Sequence, residues 1–212
     1  MRIVSEELCE LIGIIIGDGC LSNASKRYTI EITGSPKEQE YLENHVRHLL
    51  NKFSGKQPKV LLRERALRLR IESKIFFTSL IIEIGLIHGR NKAKRIFIPD
   101  VILKDGWNHT KYVLRGIVDT DGSVFTSDKP GSPDYPSIEI TTISKKLASQ
   151  LFRILKMRGF RVTVRNYKPK HGERTFKVGL NGYKMIEKWN KEIGFSNSKN
   201  ISKCETILKR MG

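Results

Sequence analysis

Residues 11–19 read LIGIIIGDG and residues 114–122 read LRGIVDTDG, so one short pattern occurs twice in the chain. Each copy is apolar, carries a small residue at every fourth position and ends in Asp-Gly. The small residues are Gly13 and Gly17 in the first copy, and Gly116 and Thr120 in the second. Small residues at this spacing share one helix face and let two helix backbones approach closely. The repeat therefore predicts two short helices that pack against each other at the centre of the fold.

Each copy ends in an acid, Asp18 or Asp121, that is followed by a glycine. We expect this glycine to be the left-handed residue that ends the helix, which places the carboxylate at the negative end of the helix dipole. Two such ends side by side bring two carboxylates together, and this is unfavourable unless a cation lies there. Hard cations such as Mg²⁺ are bound by one or two carboxylates and leave room for phosphate and water. The pair therefore predicts a divalent-metal site suited to phosphodiester hydrolysis.

Both segments resemble the LAGLIDADG motif of homing endonucleases, and two motifs in one chain are typical of the monomeric, pseudo-symmetric members of that family. The resemblance places the catalytic acid at Asp18 and at Asp121. It implies Mg²⁺ as the ion, with Mn²⁺ able to substitute. The family's earlier acid is replaced by Ile16 in the first copy and retained as Asp119 in the second. The resemblance implies these metal-binding residues: Asp18, Asp121, Gly17 and Thr120.

A wider duplication accompanies the two motifs. The tetrapeptide at 30–33, IEIT, recurs at 138–141, and EIGL at 83–86 recurs as EIGF at 192–195. One Asp-Gly helix end alone would be an ordinary turn dipeptide, but three matched landmarks in one order favour a duplicated fold. We expect an α+β protein of two pseudo-symmetric αββαββα halves, each with a four-stranded antiparallel sheet, packed through the paired motif helices into a DNA-binding saddle. The predicted divisions are 1–87, a connector 88–108, 109–195 and a C-terminal extension 196–212 of unknown role.

Periodicity and turn residues place the other elements. The first half should contain a hairpin of 20–22 and 28–33, a helix over 36–53, a second hairpin of 59–65 and 67–73, and a helix over 75–85. The second half should repeat this order, with a basic hairpin of 160–167 and 175–180 and a closing helix over 183–194. Its first hairpin differs, because the composition of 126–136, TSDKPGSPDYP, predicts a long loop.

The charge of the chain points to nucleic acid. Lys and Arg number 39 against 22 Asp and Glu, and the resulting net charge of +17 is typical of a protein that binds a polyanion. The basic residues alternate with apolar ones in strand patterns, which favours a folded binding surface. A membrane is the competing partner, but no apolar run reaches the roughly 18 residues of a spanning helix, and the N-terminus does not resemble a signal peptide.

Outward-facing strand residues are the candidates for DNA contact, because a two-stranded ribbon fits the major groove. The candidates are Thr29, Glu31, Arg63, Arg65, Arg68 and Arg70 in the first half, and Ser137, Glu139, Arg161, Thr163, Arg165, Tyr167, Lys177 and Asn181 in the second. Family sites also use basic residues near the phosphates, and Lys177, Arg68 and Arg70 are the candidates for stabilising charge there. A solvated basic face is the alternative for any one of these residues.

The cysteines limit the kinds of site and the cellular compartment that we expect. Cys9, Cys20 and Cys204 lack C-x-x-C spacing, which argues against a zinc site or a disulfide framework. We therefore expect a reducing compartment: the cytoplasm, with access to nucleoid DNA, or an organelle. His45 and His48 are interpreted as facing solvent.

The leading hypothesis is a monomeric endonuclease that makes a staggered double-strand break in a long asymmetric DNA site. A non-cleaving DNA-binding regulator of the same fold and an RNA maturase acting on its own intron are alternatives, and a basic structural protein is the fallback. The aromatic content of 8% modestly favours duplex over single-stranded partners. We do not expect an intein, because no splicing Cys or Ser begins the sequence and no His-Asn pair ends it.

Overall fold

A computed structural model of the chain describes residues 4–63 and 66–210, and it has the expected α+β architecture of two similar halves. The first half contains α1 (Glu6–Gly17), β1 (Gly19–Ser22), β2 (Thr29–Gly34), α2 (Arg47–Ser54), β3 (Lys59–Arg63), β4 (Ala66–Glu72) and α3 (Lys74–Ile82). The helices α4 (Lys92–Arg95) and α5 (Asp100–Lys104) connect it to the second half. The second half contains α6 (Trp107–Asp121), β5 (Gly122–Lys129), β6 (Ser132–Thr142), α7 (Lys145–Met157), β7 (Val162–Tyr167), β8 (Thr175–Asn181) and α8 (Tyr183–Glu192), and α9 (Ser198–Lys209) follows.

Each half forms one antiparallel four-stranded sheet, ordered β1-β2-β4-β3 in the first and β5-β6-β8-β7 in the second. The registers correspond: Ile32 of β2 lies opposite Leu69 of β4, and Ile140 of β6 lies opposite Val178 of β8. All four side chains are buried. Successive side chains on a strand point to opposite faces, so the residues between them form the outer face of each sheet.

The two motif helices, α1 and α6, pack with their backbones in contact. A Cβ atom placed on Gly13 would lie 2.2 Å from the carbonyl oxygen of Val113, and one on Gly116 would lie 2.3 Å from that of Glu10. A Cβ atom on Gly17 would lie 2.0 Å from Oγ1 of Thr120. The small-residue spacing therefore has the role that the sequence predicted for it.

A buried carboxylate also joins the motif helices. Glu10 of α1 lies 2.7 Å from Nε2 of His45 and 3.6 Å from a guanidinium nitrogen of Arg115 on α6. Burial alone would raise the pKa of Glu10, but hydrogen bonds from His45 and Ser196 and the charges of His45 and Arg115 lower it below its ordinary value. The interpretation of His45 as solvent-facing is therefore wrong.

The glycines after the two acids differ from the prediction, because neither is left-handed. Gly122 has φ −92° and ψ 162°, and Gly19 and Gly122 each begin a strand. A Cβ atom on Gly19 would lie 2.6 Å from the backbone of Ile15, and one on Gly122 would lie 2.4 Å from the carbonyl oxygen of Val118. Glycine is required there because the strand turns back closely against the last helical turn.

The predicted loop over 126–136 is also wrong. It is the far part of a long ribbon in which β5 and β6 pair as far as Lys129 and Ser132. The turn uses Gly131, with φ +73°. Pro133 and Pro136 are tolerated because this part of β6 pairs with β5 alone; its pairing with β8 begins at Ser137. Proline is compatible with a strand whose other edge is free.

The connector packs into the core, as its apolar residues predicted. Ile96, Ile98 and Ile102 are buried. The motif helix α6 starts at Trp107, two residues before the expected boundary at 109. Within the described residues, no helix is long and apolar enough to cross a membrane.

Gly116→Ala should destabilise the fold, because the added methyl group would meet backbone atoms that no rotamer change can move. Overpacking of this kind costs about 1–3 kcal/mol or more. Urea unfolding followed by circular dichroism measures the loss. Asn108→Ala, at an exposed position on the same helix, is the control and should stay within about 0.5 kcal/mol of the unmodified chain. Equal stability of the two variants would contradict backbone contact between the helices.

Candidate metal and nucleic-acid site

The carboxyl groups of Asp18 and Asp121 lie where the two motif helices end. Asp121 is the last residue of α6, and Asp18 follows α1 directly, with its N–H donating to the carbonyl oxygen of Ile14 at 3.0 Å. A Cβ atom on Gly17 would lie 3.5 Å from Cγ of Asp121, which shows how closely the two helix ends approach. The predicted pairing of the two acids is therefore a consequence of the helix contact.

Both carboxyl groups are held in an environment that disfavours their charge. Burial raises the pKa of Asp18 to about 7, with further contributions from the charges of Asp121 and Glu38. Burial raises the pKa of Asp121 to about 6. Desolvation and like charge both favour the neutral form of a carboxyl group. A bound cation would reverse this preference, so the site is suited to a positively charged ligand.

Lys92, the first residue of α4, carries a positive charge that acts on both carboxylates. This charge partly offsets the rise in their pKa values. Its Nζ atom donates to the carbonyl oxygens of Ile15 at 2.5 Å and Ile16 at 3.3 Å, and to that of Gly19. Burial lowers the pKa of Lys92 itself to about 8. A cation at a helix C-terminus is favourable because the last carbonyl groups there lack intrahelical partners.

Sequence reasoning missed Lys92. It treated the basic cluster at 88–95, HGRNKAKR, as part of the connector. Lys177 and Arg70, the expected basic residues of the site, pair with other carboxylates. Lys177 pairs with Glu139 at 2.7 Å, and Arg70 pairs with Glu72 at 3.1 Å, both on the outer sheet faces.

The donor set fits a hard divalent cation. Two adjacent half-buried carboxylates supply oxygen ligands, which Mg²⁺ and Mn²⁺ accept together with water and phosphate. Among the described residues, no group of three or more His, Cys, Asp or Glu side chains forms a fuller metal site. Asp18 and Asp121 would therefore hold the ion. The contribution of Gly17 and Thr120 stays a prediction, and the hydroxyl group of Thr120 donates within its own helix, to Gly116 at 2.8 Å.

The outer faces of the two sheets carry matching ion pairs. Arg68 lies 3.3 Å from Glu31 in the first half, and Lys177 lies 2.7 Å from Glu139 in the second. These pairs are equivalent by register, since Arg68 lies opposite Thr33 and Lys177 lies opposite Thr141. Four further candidates are exposed on or beside β7: Arg161, Thr163, Arg165 and Tyr167. These faces are suited to groove contact through residues of both charge signs.

Two of the expected contact residues are buried. Thr29 is 8% exposed and lies 3.5 Å from a guanidinium nitrogen of Arg70, and Ser137 is 4% exposed and donates to Asn181 at 3.0 Å. Both lie on the outer face of their sheet, Thr29 beside Arg70 and Ser137 beside Asn181, and their contact with DNA stays a prediction. Arg63 lies on β3, and Arg65 lies outside the described residues. The same faces contain residues that sequence reasoning did not select: Arg27 and Ser22 in the first half, and Ser127 and Lys129 in the second.

Comparisons with known proteins agree with this geometry. Residues 109–194 match the LAGLIDADG-like domain family. The chain therefore contains a match to a LAGLIDADG-like domain in its second half. Its two-domain LAGLIDADG fold is shared with I-WcaI bound to its DNA recognition sequence, at 18% identity and a TM-score of 0.62 over 98% of this chain and 88% of that one. It is shared with I-DmoI in complex with DNA and Mn, at 19% identity and a TM-score of 0.59 over 91% of this chain and 98% of that one.

Two longer proteins resemble this chain along its length. It is 26% identical over 214 residues to the replication factor C small subunit of Thermococcus kodakarensis, covering 98% of this chain and 22% of that protein. It is 25% identical over 210 residues to an uncharacterized protein of Methanocaldococcus jannaschii, covering 94% of this chain and 22% of that protein. The chain therefore spans about a fifth of the length of these relatives.

The raised pKa values of Asp18 and Asp121 predict how the stability of the metal-free chain responds to pH. A buried carboxyl group with a raised pKa contributes stability that is present below its unfolded pKa, near 4, and is lost as pH rises through its folded pKa. Asp18→Asn removes that loss, so in chelator the variant should melt at a higher temperature than the unmodified chain at pH 8, and the gain should disappear at pH 4. Calorimetry at both pH values measures it, with the exposed Asp100→Asn as control. An equal change at both pH values would contradict the assignment.

Proposed function

We propose that the chain is a site-specific DNA endonuclease that hydrolyses one phosphodiester bond in each strand of a long asymmetric duplex site, leaving a staggered break. One observation carries the proposal: the helix contact brings the half-buried carboxyl groups of Asp18 and Asp121 to one place, where their charge is disfavoured without a cation. The solved neighbours with this fold include DNA complexes with Mn and with Ca, which supports a divalent ion bound beside DNA. We propose Mg²⁺ as the ion, with Mn²⁺ able to substitute.

Different residues would bind the ion, stabilise the charge on the phosphate and contact the duplex. A divalent ion held by Asp18 and Asp121 would activate water and stabilise the leaving oxygen of a phosphodiester. Lys92 adds positive charge beside both carboxylates, where it can stabilise the charge that develops on a cleaved phosphate. The outer faces of the sheets bind the duplex on either side, and the net charge of +17 supplies the attraction to its phosphates.

The two halves are suited to different half-sites. Opposite Glu31 of β2 lies Arg70, whereas opposite the equivalent Glu139 of β6 lies Gly179. The ribbon of β5 and β6 is also longer than that of β1 and β2. Because one chain supplies both unlike halves, we propose that it acts as a monomer on a site without twofold symmetry.

The two relatives described above are much longer proteins. Both are several times longer than this chain, and the match covers 22% of each. We propose that the matching segment is an endonuclease unit within a longer protein, and that the replication activity in the name of one relative belongs to the rest of that protein.

The intact chain, incubated with Mg²⁺ and a pooled duplex library whose products are sequenced, should give staggered double-strand cuts at one long asymmetric site. Asp18→Asn and Asp121→Asn should each abolish cutting, because a neutral amide binds a divalent cation far more weakly than a carboxylate, while duplex binding in chelator persists. Tight duplex binding by the intact chain without cutting under any divalent ion would overturn the proposal in favour of a non-cleaving regulator. Binding to RNA would then be tested.

Lys92→Met should lower the single-turnover cleavage rate by about 10²-fold, the usual effect of losing one group that stabilises developing charge. Duplex affinity should hardly change. Lys94→Met is the matched control, since Lys94 lies on the same short helix and pairs with Glu173 at 2.6 Å, away from the carboxylates. A similar loss of rate in both variants would mean that Lys92 acts only through general charge.

A further inference from the structure

The segment that follows the second half binds the last turn of α6. Both carboxylate oxygens of Asp119 accept hydrogen bonds from it: Oδ2 from the N–H of Ser196 at 2.6 Å, and Oδ1 from the side-chain amide of Asn200 at 3.0 Å. Asp119 is 2% exposed. The second motif has this carboxylate where the first has Ile16. Both of its oxygens are hydrogen-bonded within the protein, two residues before Asp121.

The same segment also binds the final carbonyl groups of α6. The side-chain amide of Asn197 donates to the carbonyl oxygen of Asp119 at 3.0 Å, and that of Asn200 donates to the carbonyl oxygen of Val118 at 3.4 Å. The two asparagines are 1% and 3% exposed. The last carbonyl groups of a helix have no intrahelical partner, and a buried one without a partner is costly. The carbonyl oxygen of Val118 also accepts from the N–H of Gly122. Asn197 therefore supplies a partner for the carbonyl group of Asp119, and Asn200 adds a second donor to that of Val118, at the helix end that carries Asp121.

The first motif helix meets the same requirement with different chemistry. Aligned by motif, Val118 and Asp119 correspond to Ile15 and Ile16, whose carbonyl oxygens are bound by Lys92. One half thus holds its acid-bearing helix end with a cation, and the other holds it with two neutral amides. Neutral amides suit the end of α6, because the buried carboxylate of Asp119 lies there and needs hydrogen-bond donors.

The segment is tied to the first half as well. The side-chain amide of Asn197 donates to Oε1 of Glu38 at 3.0 Å, and the hydroxyl group of Ser198 donates to Glu40 at 3.1 Å. Glu38 is one of the charges that act on Asp18. Asn197 therefore contacts both halves beside the paired carboxylates.

We propose that Asn197 and Asn200 are positioning residues for Asp121: they fix the last turn of α6 and thereby the distance between the two metal-binding carboxylates. The C-terminal extension then acts on the catalytic site through the end of α6. The proposal rests on the proposed endonuclease function. A displacement of about 1 Å in a reacting group can cost about 10²-fold in rate, so a loosened helix end would slow cleavage without weakening DNA binding.

Asn197→Ala and Asn200→Ala test this by hydrogen exchange and by cleavage. Each variant should exchange amide hydrogens of residues 119–123 about tenfold faster, as the loss of a buried hydrogen bond implies, while residues 16–20 at the end of α1 stay unchanged. Single-turnover cleavage in Mg²⁺ should fall about tenfold or more, with duplex affinity unchanged within about twofold. Ser198→Ala is the matched control, since the hydroxyl group of Ser198 lies in the same segment and donates to Glu40, and it should change neither readout.

The two arms separate the outcomes. Unchanged exchange at 119–123, or equal acceleration at the ends of α1 and α6, would overturn the positioning role, the second result by showing general destabilisation. Faster exchange confined to 119–123 with an unaltered cleavage rate would also overturn the positioning role, because Asp121 would then function without the hydrogen bonds of Asn197 and Asn200. If the unmodified chain cuts no DNA with any divalent ion, the endonuclease proposal fails, and the exchange arm alone decides whether the segment fixes Asp121.

Discussion

Backbone contact between α1 and α6 is the constraint on which the rest of the structure depends. Gly13 and Gly116 each face a carbonyl oxygen of the other helix at a distance that leaves no room for a Cβ atom. This closeness sets where the two helices end, and so where Asp18 and Asp121 meet. Each helix is followed directly by a strand, because Gly19 and Gly122 allow the chain to turn back against the last helical turn. The same contact therefore fixes the position of both sheets relative to the carboxylates.

The site is electrostatically unfavourable to the folded protein when no ion is bound. Burial disfavours the charge on Asp18 and Asp121, and each helix end adds the partial negative charge of its free carbonyl groups. Lys92 and the two asparagines donate to the carbonyl groups of the helix ends. Among the described residues, no hydrogen bond is made to the carboxylates of Asp18 and Asp121 themselves. A ligand that binds only the folded state stabilises it in proportion to its affinity. An ion bound at the two carboxylates would therefore couple its binding to folding, as is common where a functional site opposes stability.

Much of this could be predicted from local sequence, and the failures have physical causes. The motif helices, the succession of helices and strands and the paired acids follow from spacing and alternation, which are local properties. Lys92, Asn197 and Asn200 were missed because each acts on a helix end more than seventy residues away in the sequence, and no periodicity encodes such a contact. Residues 126–136 were mistaken for a loop because proline and glycine signal a turn whether or not a ribbon continues around it. Asp-Gly likewise suggests a left-handed cap, although here glycine relieves crowding.

The duplication separates what the backbone determines from what side chains determine. Features fixed by backbone geometry are alike in both halves: the helix contact, the glycine after each acid and the pairing of β2 with β4 and β6 with β8. Features supplied by side chains differ, as Lys92 differs from the two asparagines and Arg70 from Gly179. A symmetric frame is sufficient to place two carboxylates together, whereas reading an asymmetric duplex requires unlike surfaces on the two sheets. The differences between the halves are therefore located where a site without twofold symmetry would demand them, and the similarities where paired hydrolysis would.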